Sequence, residues 1–261
     1  MKCKEIMDAL KQLWPEHLAM DWDNVGLLVG DPEQEVRHIF VALDVTDDTL
    51  VQALVCGADM IVTHHPMIFS SMKKIVATDF IGRRIMTMIK NGISYYAMHT
   101  NFDVAAMADL NAASLELESA SVLDVTYTDE FGKKEGIGRV GCLSEPMALD
   151  AFGVYVKEHL GLPMVRVYGD GQKTIQRVAV SSGSGKSMIG AALDCGADVL
   201  VTGDIDYHAG IDAVAQGLML VDAGHYGTEM IFIEHMEKML KEMFPEVQVT
   251  AAKIEQPFQL V

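Results

Sequence analysis

Histidine and carboxylate side chains follow several short apolar segments of this 261-residue chain, at the points where each segment ends. Four clusters of this kind occur: His64 with His65, His99 with Asp103, Asp204 with His208, and Asp222 with His225 and Glu229. Imidazole and carboxylate groups together are typical ligands of Zn²⁺, Fe²⁺, Mn²⁺ and Co²⁺. Calcium prefers oxygen donors alone, and a thiolate zinc site needs paired cysteines. The residue types therefore indicate a site for a transition metal.

The spacing within two of the clusters favours joint use of their side chains. His225 and Glu229 lie four residues apart, as do His99 and Asp103. This spacing places both side chains on one face of a helix. A single catalytic metal needs about three protein ligands and an open position, and the clusters offer more donors than that. Two metals sharing a bridging carboxylate would use them, with either Asp103 or Glu229 as the bridge.

Several apolar segments, two of which directly precede clusters, have the composition of buried β-strands. "HIFVALDV" (38–45), "DMIVT" (59–63) and "ISYYAM" (93–98) are apolar, and patterns typical of helices separate them. This alternation predicts an α/β fold with mostly parallel or mixed sheets. In such sheets ligands bind beyond the carboxyl ends of the strands, which is where the clusters fall.

One stretch of the sequence occurs twice. "CGADMIVT" (56–63) and "CGADVLVT" (195–202) are offset by 139 residues, and the strand and helix before each copy agree in register. The repeat predicts two related α/β lobes, 1–125 and 126–261, the second beginning with a connector. We expect the site where two such lobes face each other. The alternative, that unrelated β-α-β units share this pattern, stays open.

Composition limits the classes of partner. The formal net charge of −17 disfavours nucleic acid, whose phosphates an acidic surface repels. The longest apolar runs fall short of about 18 residues, and the N-terminal segment is an amphipathic helix rather than a signal peptide. The four cysteines form no C-x-x-C pair. We expect a cytoplasmic, soluble protein without membrane contact.

Two further stretches have ordinary structural interpretations. "SSGSGKS" (181–187) looks like a phosphate-binding loop, but Val180 stands where that motif requires glycine. It is interpreted as a turn before a helix. Asp23 and Asn24 in "DWDNVG" are interpreted as turn residues that could also shape a cleft.

Five stretches taken together resemble a known protein family: "DWDNVGLLVGD", "VTHHPMIF", "HTNFD", "TGDIDYH" and "DAGHYGTE". They are similar to the GTP cyclohydrolase 1 type 2 homologues, also called NGG-interacting factor three-like proteins or dinuclear-metal-centre hexameric proteins. The resemblance covers nearly the whole chain. It implies two α/β lobes with a dinuclear metal site in the cleft between them. It also implies a toroidal homohexamer, and a short form that lacks an inserted central domain.

The resemblance also assigns roles to residues. It implies that two divalent ions, Zn, Fe or Mn, are held by His64, His65 and Asp103 from the first lobe and by His225 and Glu229 from the second. It places His99 and His208 near the metals as catalytic, proton-handling groups.

Three functions follow as competing hypotheses. The first is a metal-dependent hydrolase of the GTP cyclohydrolase 1 type 2 kind, in which metal-activated water attacks a nucleotide or a related small molecule. The second is a non-catalytic metal-binding or regulatory hexameric scaffold. In the third, the histidines serve only the structure.

Overall fold

The strands of this protein form two separate sheets, one in each of two structural units. The computed structural model describes residues 1–253 and residue 258. Unit 1 comprises residues up to Phe102 together with the segment from Phe232 onward, and unit 2 comprises Asp103–Ile231. The end of the predicted second lobe, residues 254–257 and 259–261, lies outside the described residues.

The elements follow one another along the chain in the order α1 (Cys3–Leu13), a 3-10 turn (Glu16–Leu18), β1 (Gly26–Val29), β2 (His38–Ala42), α2 (Asp47–Cys56), β3 (Met60–Thr63), α3 (Phe80–Lys90), β4 (Ser94–Ala97), α4 (Thr100–Phe102), a π-helical turn (Asp103–Met107), α5 (Ala108–Ser114), β5 (Glu118–Thr128), β6 (Lys134–Ala148), α6 (Leu149–His159), β7 (Arg166–Tyr168), β8 (Thr174–Ser184), a 3-10 turn (Lys186–Met188), α7 (Ile189–Asp194), β9 (Val199–Gly203), α8 (Tyr207–Ala215), β10 (Met219–Asp222), α9 (His225–Glu229), α10 (Ile231–Met243) and β11 (Gln248–Ala251).

The sheet of unit 1 has the strand order β1-β4-β3-β2-β11. Strands β2, β3, β4 and β11 are parallel, and β1 pairs antiparallel with β4. Successive residues alternate between the two faces, so Phe40, Ile61 and Tyr95 join one core cluster with residues of α2 and α3. Every residue of β2, β3 and β4 is buried. Burial on both faces explains why these strands are apolar throughout.

The sheet of unit 2 has the strand order β5-β6-β8-β9-β10-β7. Its central strands β8, β9 and β10 are parallel, while β5, β6 and β7 pair antiparallel with their neighbours. Val178, Val199 and Val221 lie in one core cluster, and Ala179 and Leu200 lie in another on the opposite face. Both faces of this sheet are therefore covered.

The two sheets share a topology. In each, three parallel strands are joined by two helices, and a short strand that precedes them pairs antiparallel with the third. The offset of 139 residues carries β2 onto the central part of β8, and β3 onto β9. The repeated stretch thus supplies the end of the first helix and the second parallel strand of each sheet. The mixed α/β character and the two sheets agree with the fold class expected from the sequence.

The observed units differ from the predicted boundaries at 125 and 126. Residues 103–125 belong to unit 2 because β5 pairs with β6 over most of its length. Residues 232–253 belong to unit 1 because β11 extends that sheet as a parallel neighbour of β2. Backbone pairing between distant segments decides these memberships, and a reading by sequence position misses it.

The ends of several helices follow from local hydrogen bonding. Thr46 caps α2 by accepting a hydrogen bond from the Thr49 amide at 3.1 Å, and Asp79 caps α3 through the Gly82 amide at 2.7 Å. Within the described residues, no helix combines the length and the apolar character that crossing a bilayer requires.

We expect the free energy of unfolding at acid pH to depend on His235 in α10. Its ring lies 6.1 Å from that of Trp14 and 6.0 Å from that of Phe102. Burial, with a smaller effect of Lys238, lowers the pKa of His235 below its usual 6.5. The unfolded chain therefore takes up this proton more readily, so the contribution of His235 to stability is present above pH 6.5 and lost as the pH falls below it.

Urea unfolding at pH 7.5 and pH 5.5, with chelator present, measures this effect. We expect His235→Gln to lose less unfolding free energy between the two pH values than the wild type does. His159→Gln, which changes an exposed histidine of α6, is the control and should follow the wild type. Equal losses in the His235 variant and the wild type would contradict the assignment.

Candidate metal centre

His64 follows β3 directly, and its side chain is completely buried. Its Nδ1 lies 2.8 Å from the carbonyl oxygen of Met98. A carbonyl oxygen only accepts hydrogen bonds, so Nδ1 carries the proton and donates. In the neutral ring the lone pair is therefore on Nε2, the atom that a metal ion would bind.

His65 is oriented in the same way by a carboxylate. Its Nδ1 lies 2.9 Å from Oδ1 of Asp44, which stands two residues beyond the end of β2. The buried Tyr95 hydroxyl holds the backbone here, because it donates to the His65 carbonyl at 2.8 Å and accepts from the Met67 amide at 2.8 Å. Burial raises the pKa of Tyr95 to about 12, so this hydroxyl keeps its proton.

His99 completes the set in unit 1. Its Nδ1 lies 2.9 Å from Oδ1 of Asp23, whose side chain is fully buried. The other Asp23 oxygen accepts from the Thr100 amide at 3.0 Å and from its hydroxyl. Burial alone would raise the pKa of Asp23, but the hydrogen bonds from His99 and Thr100 outweigh it and lower the pKa to about 2. The carboxylate is therefore ionised.

Unit 1 brings these three histidines together. A ring nitrogen from each of His64, His65 and His99 lies within 4.8 Å of the other two. The ring centroids are 5.0 Å apart for His64 and His65, and 5.2 Å apart for His64 and His99. The imidazoles of His64 and His65, whose Nδ1 atoms are already hydrogen-bonded to oxygen, are donors suited to Zn²⁺ or Fe²⁺, and the ring of His99 lies beside them.

Unit 2 holds a second donor set, which starts with the pair His225 and Glu229 on α9. Nε2 of His225 lies 3.1 Å from Oε2 of Glu229, as the spacing of four residues predicts. Nδ1 of His225 lies 2.8 Å from Oδ2 of Asp204. Asp204 follows β9 and has a φ of 56°, a left-handed conformation that is uncommon for a residue with a side chain. Residues in such conformations often occur at functional sites.

Asp103 adds a second carboxylate to the set in unit 2. It begins the π-helical turn, an irregularity frequent at functional sites, and one of its oxygens accepts from the Ser182 hydroxyl at 3.1 Å. A carboxylate oxygen of Asp103 lies within 4.8 Å of one of Glu229. Two carboxylates this close repel each other unless a proton or a cation lies between them.

Gly183 makes room for this set at the end of β8. Its φ is 63°, and a Cβ at this position would lie 2.4 Å from Oε1 of Glu229 and 3.3 Å from Nε2 of His225. The Gly183 amide donates to the Thr228 hydroxyl at 2.9 Å, which fixes the loop against α9. Only glycine leaves this space open.

His208 and Asp222 lie elsewhere in unit 2. His208 is exposed on α8 beside Tyr207, and no group of metal-binding side chains among the described residues includes it. Its catalytic role stays a prediction. Asp222 is buried and forms an ion pair with Arg166, while its oxygens accept from the amides of Ile205 and Gly224. These bonds give Asp222 a role in fixing the two loops that carry Asp204 and His225.

Sequence reasoning missed Asp44 and Gly183 and underrated Asp23. Asp44 lies inside the stretch 38–45 that was predicted as a strand, but β2 ends at Ala42, so the strand-end pattern that identified the histidines applies to Asp44 as well. Asp23 carried a turn interpretation because its partners His99 and Thr100 lie more than 70 residues away. Gly183 lies in the stretch that resembles a phosphate loop. Because that motif is incomplete, the stretch was interpreted as an ordinary turn, and the space that Gly183 leaves for Glu229 was not predicted.

Comparison with known proteins identifies the family to which this chain is related. The family model described as Duf34/NIF3 (NGG1p interacting factor 3) matches residues 1–257. The chain belongs to the Duf34/NIF3 family. The resemblance drawn from the five sequence stretches is thereby confirmed.

Relatives of this NIF3-family chain support the same membership over most or all of their length. A GTP cyclohydrolase 1 type 2 homolog of Clostridium perfringens is 33% identical over 266 residues, with all of both chains covered. One of Streptomyces coelicolor is 36% identical over 93% of this chain and 86% of its own.

Solved structures show the same fold. A Bacillus cereus protein related to NIF3 superimposes with a TM-score of 0.93 at 28% identity, covering 100% of this chain and 99% of its own. Reduced HcgD from Methanocaldococcus jannaschii gives a TM-score of 0.81 at 28% identity, covering 96% of this chain and 97% of its own.

The space beside Gly183 is expected to be essential for the set in unit 2. Gly183→Ala adds a methyl group against Glu229 and strains a left-handed backbone, and we expect it to lower the unfolding free energy by about 2–4 kcal/mol. Gly196→Ala is the matched control, because Gly196 has a φ of 71° with no atom within 4 Å of the new Cβ. It should cost only the backbone strain, about 1–2 kcal/mol. Denaturant unfolding of both variants measures the difference, and equal costs would show that Glu229 moves aside freely.

Proposed function

We propose that this protein binds two divalent metal ions and is a metal-dependent hydrolase acting on a nucleotide or a related small molecule. The proposed ligands are His64, His65, Asp103, His225 and Glu229. The observation that carries the proposal is that both donor sets are oriented in advance. An oxygen acceptor holds Nδ1 of each histidine, and two carboxylates lie within 4.8 Å of each other beside His225.

The residues fit a transition metal better than a purely structural role. An oriented neutral imidazole has its Nε2 lone pair aimed at a fixed point, as metal ligands usually have. The close carboxylates of Asp103 and Glu229 favour a cation beside them. The space that Gly183 leaves would have no evident use in a site built only for packing. Zn, Fe and Mn all accept this mixture of imidazole and carboxylate.

The two sets are proposed to act together as a dinuclear site. The connectivity of the chain supports this. The chain passes from unit 1 to unit 2 between Phe102 and Asp103, three residues after His99, and returns between Ile231 and Phe232, two residues after Glu229. The proposed ligands Asp103 and Glu229 of unit 2, and His99 of the histidine cluster of unit 1, thus lie within three residues of the two points where the covalent chain joins the units. Either Asp103 or Glu229 is proposed as the bridging carboxylate.

The chemistry divides between the ions and the side chains. When bound, a pair of divalent ions supplies Lewis acidity and lowers the pKa of water. His99 is proposed to accept a proton at Nε2, because its Nδ1 already donates to Asp23. The ionised Asp23, buried beside it, then stabilises the imidazolium that forms. His208 is proposed as a second proton-handling residue, at the surface of α8.

The names of the relatives suggest the reaction class. Several are GTP cyclohydrolase 1 type 2 homologs. On this basis the proposed reaction is attack of water on an electrophilic carbon of a nucleotide, such as the imidazole carbon of guanine. A cytoplasmic, toroidal homohexamer without an inserted domain is proposed as the working form.

Metal content is expected to depend on donors from both units. Wild-type protein should contain about two transition-metal ions per chain, measured by elemental analysis after gel filtration. His65→Ala in unit 1 and Glu229→Gln in unit 2 should each lose metal. The double variant should lose little more than the worse single variant, because both changes affect one shared centre. Asp212→Asn, which changes an exposed carboxylate of α8, is the control and should retain both ions. Independent, additive losses would show that the two sets bind metal separately.

Turnover is expected to depend on His99 at unchanged metal content. A panel of nucleotides and phosphoesters is tested with metal-loaded protein, and His99→Gln should lower kcat by about 10²–10⁴-fold, the usual contribution of a general base. His208→Gln tests the second proton-handling residue in the same assay, and His159→Gln should behave as the wild type. No activity on any compound with two ions bound would favour the non-catalytic metal-binding scaffold.

A further inference from the structure

Two exposed aromatic rings lie beside the histidine cluster of unit 1. Trp22 is 57% exposed and Phe69 is 52% exposed, and their ring centroids are 5.8 Å apart. The Trp22 ring also lies 6.0 Å from that of His99, edge to face. Single exposed apolar side chains need no explanation. A pair of them next to three clustered histidines does.

Hydrogen bonds hold this pair of rings in place. The Asp23 carboxylate, bonded to His99 and Thr100, fixes the residue next to Trp22, and the Met20 amide donates to the Thr100 hydroxyl at 2.9 Å. Asn24 Nδ2 donates to the Ile68 carbonyl at 2.5 Å. This last bond ties the loop that carries Trp22 to the segment that carries Phe69. Two anchored loops thus hold two aromatic rings exposed to solvent. Burying these rings would have stabilised the fold, so folding alone does not explain their exposure.

A groove continues from Phe69 along the same segment. It has a volume of about 410 Å³ and is lined by residues 67–74 together with Asp79 and Ile81. Lys73 and Lys74 lie here, both exposed, and no ion pair of either is found within the described residues. The carboxylate of Asp79, the acidic residue in the lining, is engaged by the Gly82 amide. Two adjacent lysines are a local positive charge on a chain with a net charge of −17.

We infer that Trp22 and Phe69 form a stacking wall for a planar heteroaromatic ring, and that Lys73 and Lys74 bind a phosphate group attached to it. Aromatic faces hold planar rings by stacking at centroid distances of 4.5–7 Å. The lysines add charge complementarity, which selects an anionic ligand over a neutral one. The inference deepens the proposed function, on which it rests for the chemistry at His99. It assigns recognition of the ligand to residues outside the metal-binding set.

Binding of separated ligand parts to chelator-treated protein tests the wall without any metal. The probes are GTP, guanosine, which has the ring without phosphate, and tripolyphosphate, which has phosphate without the ring. Trp22 is one of only two tryptophans in the chain, so quenching of its fluorescence reports stacking directly. Calorimetry gives the affinities independently of fluorescence.

We expect Trp22→Ala to raise the Kd for GTP and guanosine about 5- to 150-fold, and Trp22→Phe to retain most of the affinity. Trp22→Ala should leave tripolyphosphate binding unchanged. The double change Lys73→Ala and Lys74→Ala should weaken binding of GTP and tripolyphosphate but not of guanosine. Phe131→Ala and Lys90→Ala, which alter an exposed ring of unit 2 and an exposed lysine of α3, are the controls. Because Trp22 is exposed, its variants should fold, which circular dichroism verifies.

Three results would overturn the inference. They are unchanged GTP and guanosine affinity in Trp22→Ala, no binding of either compound to the wild type, and a changed oligomeric state in Trp22→Ala with unchanged binding. The last would show that the rings contact a second copy of the chain. The proposed function fails separately, if ring binding depends on Trp22 but the protein holds no metal. If metal-loaded protein turns over substrate and Trp22→Ala leaves KM unchanged, the function stands and the wall does not.

Discussion

The candidate site depends on one repeated interaction, a hydrogen bond from histidine Nδ1 to an oxygen acceptor. Met98, Asp44 and Asp23 provide the acceptors in unit 1, and Asp204 provides the acceptor in unit 2. Each bond fixes the orientation of its ring, and in unit 1 it also places the proton on Nδ1, so that Nε2 of each ring has a fixed direction. Without these bonds the rings would rotate between orientations, and ordering them would cost free energy at the moment of binding.

The fold places these acceptors by using the same part of each sheet. Asp44 follows β2, His64 and His65 follow β3, and Met98 and His99 follow β4, so the carboxyl ends of three adjacent parallel strands supply the three histidines and two of their acceptors. The third acceptor, Asp23, precedes β1, which is antiparallel to β4. In unit 2 Gly183 lies at the carboxyl end of β8, Asp204 follows β9, and His225 begins α9 three residues after β10. A parallel sheet directs all its carboxyl ends to one edge, which is why residues far apart in sequence meet there.

Burial of the parallel strands made part of the fold and of the candidate site predictable from the sequence. Strand positions and the histidines that follow them were evident, because burial of β2, β3 and β4 on both faces demands apolar residues and the sequence shows where those end. The membership of β11 in the sheet of unit 1 was not evident, because parallel pairing with β2 leaves no local signal. Asp23 was not evident for a related reason. A turn aspartate looks the same in sequence whether its carboxylate caps a turn or holds a histidine 76 residues away.

The charged residues of the candidate site affect the stability of the fold. Asp23 remains ionised while fully buried because His99 and Thr100 compensate for its desolvation. Asp103 and Glu229 lie within 4.8 Å of each other, and their mutual repulsion opposes the fold unless a positive charge offsets it. A cation bound by these carboxylates would therefore stabilise the folded chain as well as complete its chemistry, since ligand binding and folding are linked.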